Sequence, residues 1–256
     1  MLFISLYFNF QHYLLIYAIA YARLAVVFYM LPILGERILS HLIIKNSIIT
    51  LTIIGLWPCF ENVAIIERGW YLLLVQECIV GLILATVLCL PFWIVIGLGE
   101  ILDNQRGASM ADNIDPLNGG QNSILAGLLN FTFGMIFFTN NGMRLLMEAF
   151  VESYHIFPTS SKWLGFHWQE AGRILVMLIE SGIMLAAPVI IVMMVAEILL
   201  GVFARYCPQL NPFSLSLTIK SFITFITFLF YGFNALAEKP LNLFSTGIFK
   251  EFFPGL

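Results

Sequence analysis

Five ionisable side chains, Arg23, Glu77, Glu180, Glu197 and Lys220, fall inside otherwise apolar runs. A lone charge at the centre of a membrane-spanning helix costs roughly 2.5–3.5 kcal/mol on insertion scales. Five such groups must therefore be paired, face water or lie outside lipid. Two chemistries follow. The carboxylates could form an ion or proton pathway, or the two cations and three carboxylates could pair between neighbouring helices or subunits. The pairing reading is preferred, because transport carboxylates accompany broken helices and polar residues from several spans. Here the polar residues are scattered.

Catalysis finds less support. Asp112 and Asp115 could act as an acid–base pair, but in a Gly- and Asn-rich stretch they read as turn-formers. Ser, His and Asp are present without a G-x-S-x-G elbow. Gly119-Gly120 lacks the Lys-Ser/Thr of a phosphate loop. His12, His41, His155 and His167 form no H-E-x-x-H or paired-ligand pattern. Cys59, Cys78, Cys89 and Cys207 show no C-x-x-C spacing, and no disulfide framework is expected. No enzyme, cofactor or metal site is expected.

These residues must be held by apolar helices. The chain is 60% hydrophobic and 11% charged, against about 45–50% and 25% for soluble domains. That deficit of charge predicts an integral, all-α membrane protein forming a single domain over residues 1–256. With a net charge of -3 and no basic run, nucleic acid is not an expected partner. The N-terminus has neither a positive n-region nor an A-x-A site, so no cleaved signal is expected.

Residues 1–11 are aromatic and uncharged, an interfacial or partner-bound segment. Apolar runs follow at His12 to Leu34, Leu42 to Trp57, Trp70 to Leu98, Ile124 to Phe138, Ile174 to Ala204 and Phe213 to Leu236. The third, of roughly 28 residues, reaches about 42 Å, more than the ~30 Å of a hydrocarbon core. Pro91 is expected to kink it. Asn140-Asn141-Gly142 is a turn signal, with an amphipathic helix from Met143 to Phe157; the two helices flanking it could form a hairpin packed on protein. Trp163 and Trp168 suit a membrane–water interface. Orientation is weakly encoded. Arg68, Arg144, Lys162, Arg173, Lys239 and Lys250 fall on the N-terminal side, against Arg37, Lys45, Arg106 and Arg205 on the other.

Between two apolar runs lies a polar stretch from Asp103 to Ser123, DNQRGASMADNIDPLNGGQNS. It is longer than a connection normally needs to be. It cannot lie in hydrocarbon, where each unsatisfied backbone group would cost several kcal/mol. It is either a solvated surface loop or a segment placed in a water-filled path that it can block.

Two stretches carry a resemblance. One is Asp103-Asn104-Gln105-Arg106-Gly107 with Asp115-Pro116 and Ser123-Ile124-Leu125. The other runs from Leu200 to Phe213, with Arg205, Pro208, Gln209 and Asn211, and on to Lys220-Ser221. Together they resemble the SpaR/YscT/FliR (SctT) family of the bacterial type III secretion export apparatus, and suit its virulence branch better than the flagellar one. The family often has Pro two residues before the lysine; here Thr218 stands there, which predicts a less kinked helix.

The resemblance implies one subunit of a helical export-gate core, built of hydrophobic helical hairpins, several of them kinked, within the basal body at the inner membrane. About five copies of one small membrane subunit and about four of another would accompany each copy of this chain. A switch/autoprotease subunit would wrap the cytoplasmic entrance. The cargo would be unfolded protein. The family's plug in the channel maps onto Arg106 to Ser123, including Gly107, Met110, Asp112, Asn113, Asp115, Pro116, Asn118, Gly119, Gly120 and Asn122. Glycines at 107, 119 and 120 would make such a plug cheap to displace. The alternative is a polytopic secondary transporter using Glu77, Glu180 or Glu197 for coupling.

Overall fold

The computed structural model describes residues 2–35, 41–60, 70–106, 123–159, 168–206, 212–232 and 235–236. All regular structure among them is helical: α1 (Leu2–Met30), α2 (Leu42–Gly55), α3 (Trp70–Gln105), α4 (Ile124–Thr139), α5 (Gly142–Ile156), α6 (Trp168–Tyr206) and α7 (Pro212–Thr227), the last running into a π-helical turn at Phe228–Gly232. Three stretches are long and apolar enough to cross a membrane: Asn9–Met30, Trp70–Gln105 and Ile179–Tyr206. The second apolar run falls short, because the 14 residues of α2 rise only about 21 Å.

Helix ends follow local chemistry. Leu31 precedes Pro32 and is extended at φ -62, ψ 119, the conformation a following proline imposes. A single 3-10 turn, Pro32–Leu34, then closes with Gly35 N–H donating to the Pro32 carbonyl. Thus α1 begins ten residues before the expected run and stops four before its expected end. The uncharged first segment extends the helix, since nothing in it breaks one. In α3 and α6 the internal prolines, Pro91 and Pro188, lie within continuous helix. Asn141, at φ 58, turns the chain between α4 and α5; Asn tolerates this left-handed conformation better than most residues.

Contacts divide the chain into two compact units: residues 1–90, 141–170 and 244–256, and residues 91–140 and 171–243. In the first, Leu24, Val27 and Phe28 of α1 are buried, as are Ile49 and Ile53 of α2, Leu84 and Leu88 of α3, and Leu146 and Phe150 of α5. Phe28 stacks on Phe150 at 5.7 Å, and Phe60 meets Tyr154 edge-on at 4.8 Å. A polar seam joins α1 to α2. Tyr17 and Thr50 share a hydrogen bond at 2.9 Å, while Tyr21 and Tyr29 both donate to Asn46 Oδ1, at 3.0 and 2.8 Å.

The second unit centres on Phe92, which packs edge-on against Phe133 and Phe137 of α4 at 4.9 and 5.5 Å. Leu98 and Leu102 of α3 and Leu129 of α4 complete that contact layer. Its α6 is different in kind. Few residues of the Ile179–Tyr206 stretch are buried, leaving Ile183, Ile191, Ile198, Leu199, Val202 and Phe203 exposed. A contiguous apolar surface of this sort meets lipid or another chain.

Candidate functional site

Three polar nodes stand out against the apolar packing. The first is built on Arg23, which is completely buried. A guanidinium presents five donors in a rigid fork. Nε donates to Glu77 Oε2 at 2.6 Å, Nη1 to the Ser153 carbonyl at 3.0 Å and Ser153 Oγ at 3.3 Å, and Nη2 to the Phe157 carbonyl at 2.8 Å. Its carbon centre lies 3.9 Å from the Tyr154 ring centroid. Thr159 hydrogen-bonds to the Glu77 carboxylate.

Ser153 and Phe157 lie in and just past the last turn of α5, where the carbonyls carry the negative end of the helix dipole; the Ser153 carbonyl also accepts from Phe157 N–H at 2.9 Å. Arg23 therefore caps one helix while pairing with a second. The backbones of α1 and α3 touch beside it. A Cβ at Gly81 would stand 2.6 Å from the Arg23 carbonyl oxygen, so only glycine fits there.

The second node gathers on Asp103, buried near the end of α3. Arg106 Nε donates to its Oδ1 at 2.6 Å. Its other oxygen accepts from Ser123 Oγ and, at 2.9 Å, from Leu125 N–H. Ser123 is the N-cap of α4, its hydroxyl oxygen accepting from Ala126 N–H at 3.0 Å, as a residue in that position should. A carboxylate over the first turn of α4 also complements its dipole. One turn before Asp103, a Cβ at Gly99 would lie 2.3 Å from Ala126 Cα and 2.5 Å from its nitrogen. Here α3 and α4 meet backbone to backbone.

The third node joins α6 to α7. Lys220 Nζ lies 2.9 Å from Glu197 Oε2, with the lysine side chain 10% and the glutamate 60% exposed. Thr224 donates its single hydroxyl proton either back to the Lys220 carbonyl at 2.7 Å or to Met193 Sδ at 2.9 Å.

Of the five charges within apolar runs, four thus lie in two ion pairs, and Glu180 is exposed. Arg205 is exposed at the end of α6. Pro208, Gln209 and Asn211 lie outside the described residues. So do Gly107, Met110, Asp112, Asn113, Asp115, Pro116, Asn118, Gly119, Gly120 and Asn122, whereas Arg106 and Ser123 at either end of that segment are described. Among the described residues no three His, Cys, Asp or Glu side chains converge as a metal site would require.

The family model for bacterial export proteins, family 1, matches residues 14–246. The chain belongs to that family. Its relatives include the surface presentation of antigens protein SpaR of Salmonella typhimurium, 34% identical over 98% of this chain and 97% of the relative. The SpaR of Shigella flexneri is 40% identical over 81% of each chain. The Yop proteins translocation protein T of Yersinia pestis is 32% identical over 86% of this chain and 87% of its own. Flagellar FliR proteins are more distant. These are export proteins, not enzymes, and this member of the SpaR/YscT/FliR family is an all-α membrane protein that works with other export subunits.

The sequence points to Asp103 only as the start of the polar stretch and of the resembling motif, and does not single out Ser153, Phe157 or Thr159. Ser123 ahead of an apolar run was an N-cap signal that could have pointed to the Asp103 node. Nothing in the sequence marks the Phe157 carbonyl, a group every residue has.

Proposed function

We propose that this export-family protein is a structural and gating subunit of a type III secretion export apparatus in the bacterial inner membrane. It forms part of the channel for unfolded protein, and residues 103–123 act as the plug. The observation that carries the reading is the surface of α6, a span-length apolar helix left largely unburied by its own chain while bearing exposed Glu180, Glu197 and Arg205. Such a surface suits neighbouring subunits better than uniform lipid, since charges at membrane depth are tolerated when they face protein or water. The names of the relatives, which speak of surface presentation of antigens and of Yop protein translocation, favour the virulence branch. About five copies of one small subunit, about four of another and a switch/autoprotease subunit would complete the assembly.

Deleting residues 107–120 tests the plug. Assembly should persist while leakage of ions and small solutes rises; an unchanged leak counts against it. Intact-complex mass measurement tests the class, the 28.9 kDa chain being expected once among many copies of smaller subunits. The transporter alternative makes the opposite demand: Glu77→Gln, Glu180→Gln or Glu197→Gln should abolish an ion-coupled uptake.

A further inference from the structure

The geometry points to Asp103 as the clasp that fixes the end of α3 to the start of α4, holding the two ends of the intervening residues 107–122 at a set separation. This rests on the reading of that segment as the plug and names the positioning residue it depends on. One buried carboxylate receives a charged donor from Arg106, the last described residue before the segment, and two donors from Ser123 and Leu125, immediately after it. Charge-assisted bonds of this kind are about twice as strong as neutral ones.

The clasp is reinforced where Gly99 and Ala126 touch backbone to backbone, leaving no room for even a methyl group. Two turns of polar and steric contact therefore lock α3 against α4. Arg106 and Ser123 are thus held to one another through Asp103.

A simpler role is also open to Asp103, that of an accessory N-terminal cap for α4. The two roles separate with Asp103→Asn. Asn caps helix N-termini as well as Asp, and it can still accept from Leu125 N–H, but it carries no charge for Arg106. Spin labels at Gln105 and Ile124, both exposed, would report the separation in the assembled complex, with the four native cysteines replaced by alanine. Unsubstituted Asp103 should give one narrow dipolar distance. Asp103→Asn and Asp103→Ala should both lose it to a broad distribution, and both should leak ions. A narrow distance retained in both variants overturns the clasp, whatever the leak. Retention in Asp103→Asn alone also overturns it, leaving only a cap. A broadened distance without leak leaves the clasp standing and removes the plug instead.

Discussion

Replacing Arg23 with Met strips the first unit of a group that serves Glu77, Ser153 and Phe157 at once. The buried carboxylate of Glu77 would then lose its cation, and the Ser153 and Phe157 carbonyls a charged donor, although the Ser153 carbonyl keeps the Phe157 N–H at 2.9 Å. Removing one partner of a buried ion pair costs about 3–5 kcal/mol, because the survivor is an uncompensated charge. For a chain of this length each kcal/mol moves the midpoint about 2–4 °C, so melting in detergent should fall by roughly 6–20 °C. Lys should not rescue it, since one ammonium cannot span three acceptors that the planar fork reaches. The double variant Arg23→Met with Glu77→Leu should be milder than Arg23→Met alone. Apolar replacement of a whole buried pair is close to neutral, leaving mainly the guanidinium's bonds to the Ser153 and Phe157 carbonyls, at about 1.5–3 kcal/mol per hydrogen bond to a charged group. The assay is differential scanning fluorimetry on the complex, with all four members of the cycle. Strictly additive losses, or an Arg23→Met midpoint within about 2 °C of the parent, a shift worth only about 1 kcal/mol, would refute the reasoning.

Gly99→Ala places a methyl against the Ala126 backbone and should cost about 1–3 kcal/mol, as overpacking does. Gly97→Ala, with open space around it, is the control and should melt like the parent. At the α4–α5 turn, Asn141→Gly should be neutral, whereas Asn141→Val should destabilise by about 1–2 kcal/mol because of the left-handed backbone; equal melting of the two sinks that account. Glu197→Gln should lower the amount of protein recovered from membranes more than Glu180→Gln, since only Glu197 faces the buried ammonium of Lys220. Immunoblots of the two variants showing the reverse order would count against the pairing.

Much of the helical frame was legible because apolar runs longer than about 18 residues have few other fates. Boundaries were less so. The start of α1 hid behind Asn9, Gln11 and His12, which look interfacial until the helix continues through them. The third run was expected to stop near Leu98, yet the helix continues through Ile101 and buried Leu102. At its end Asp103 and Arg106 pair with each other. The need for charge pairing followed from the cost of burial, but its partners did not. Periodicity fixes which side of its own helix Arg23 occupies, and says nothing about a glutamate 54 residues on. The glycines at 81 and 99 were equally silent, since close approach is a property of two backbones and only one is written at each position.

The separations around Arg23 carry a consequence for biogenesis. Glu77 lies 54 residues downstream, but the Ser153 and Phe157 carbonyls lie 130 and 134 downstream. At 5–20 residues per second of synthesis, the ribosome needs roughly 6–26 s after making Arg23 to supply them. Until Glu77 is made the cation in the nascent amino-terminal helix has none of these ligands, and until residues 153 and 157 follow it has only the carboxylate. Its early passage into the bilayer must therefore be sheltered, by water in the insertion machinery or by a helper protein, until the far end of the polypeptide arrives to close around it.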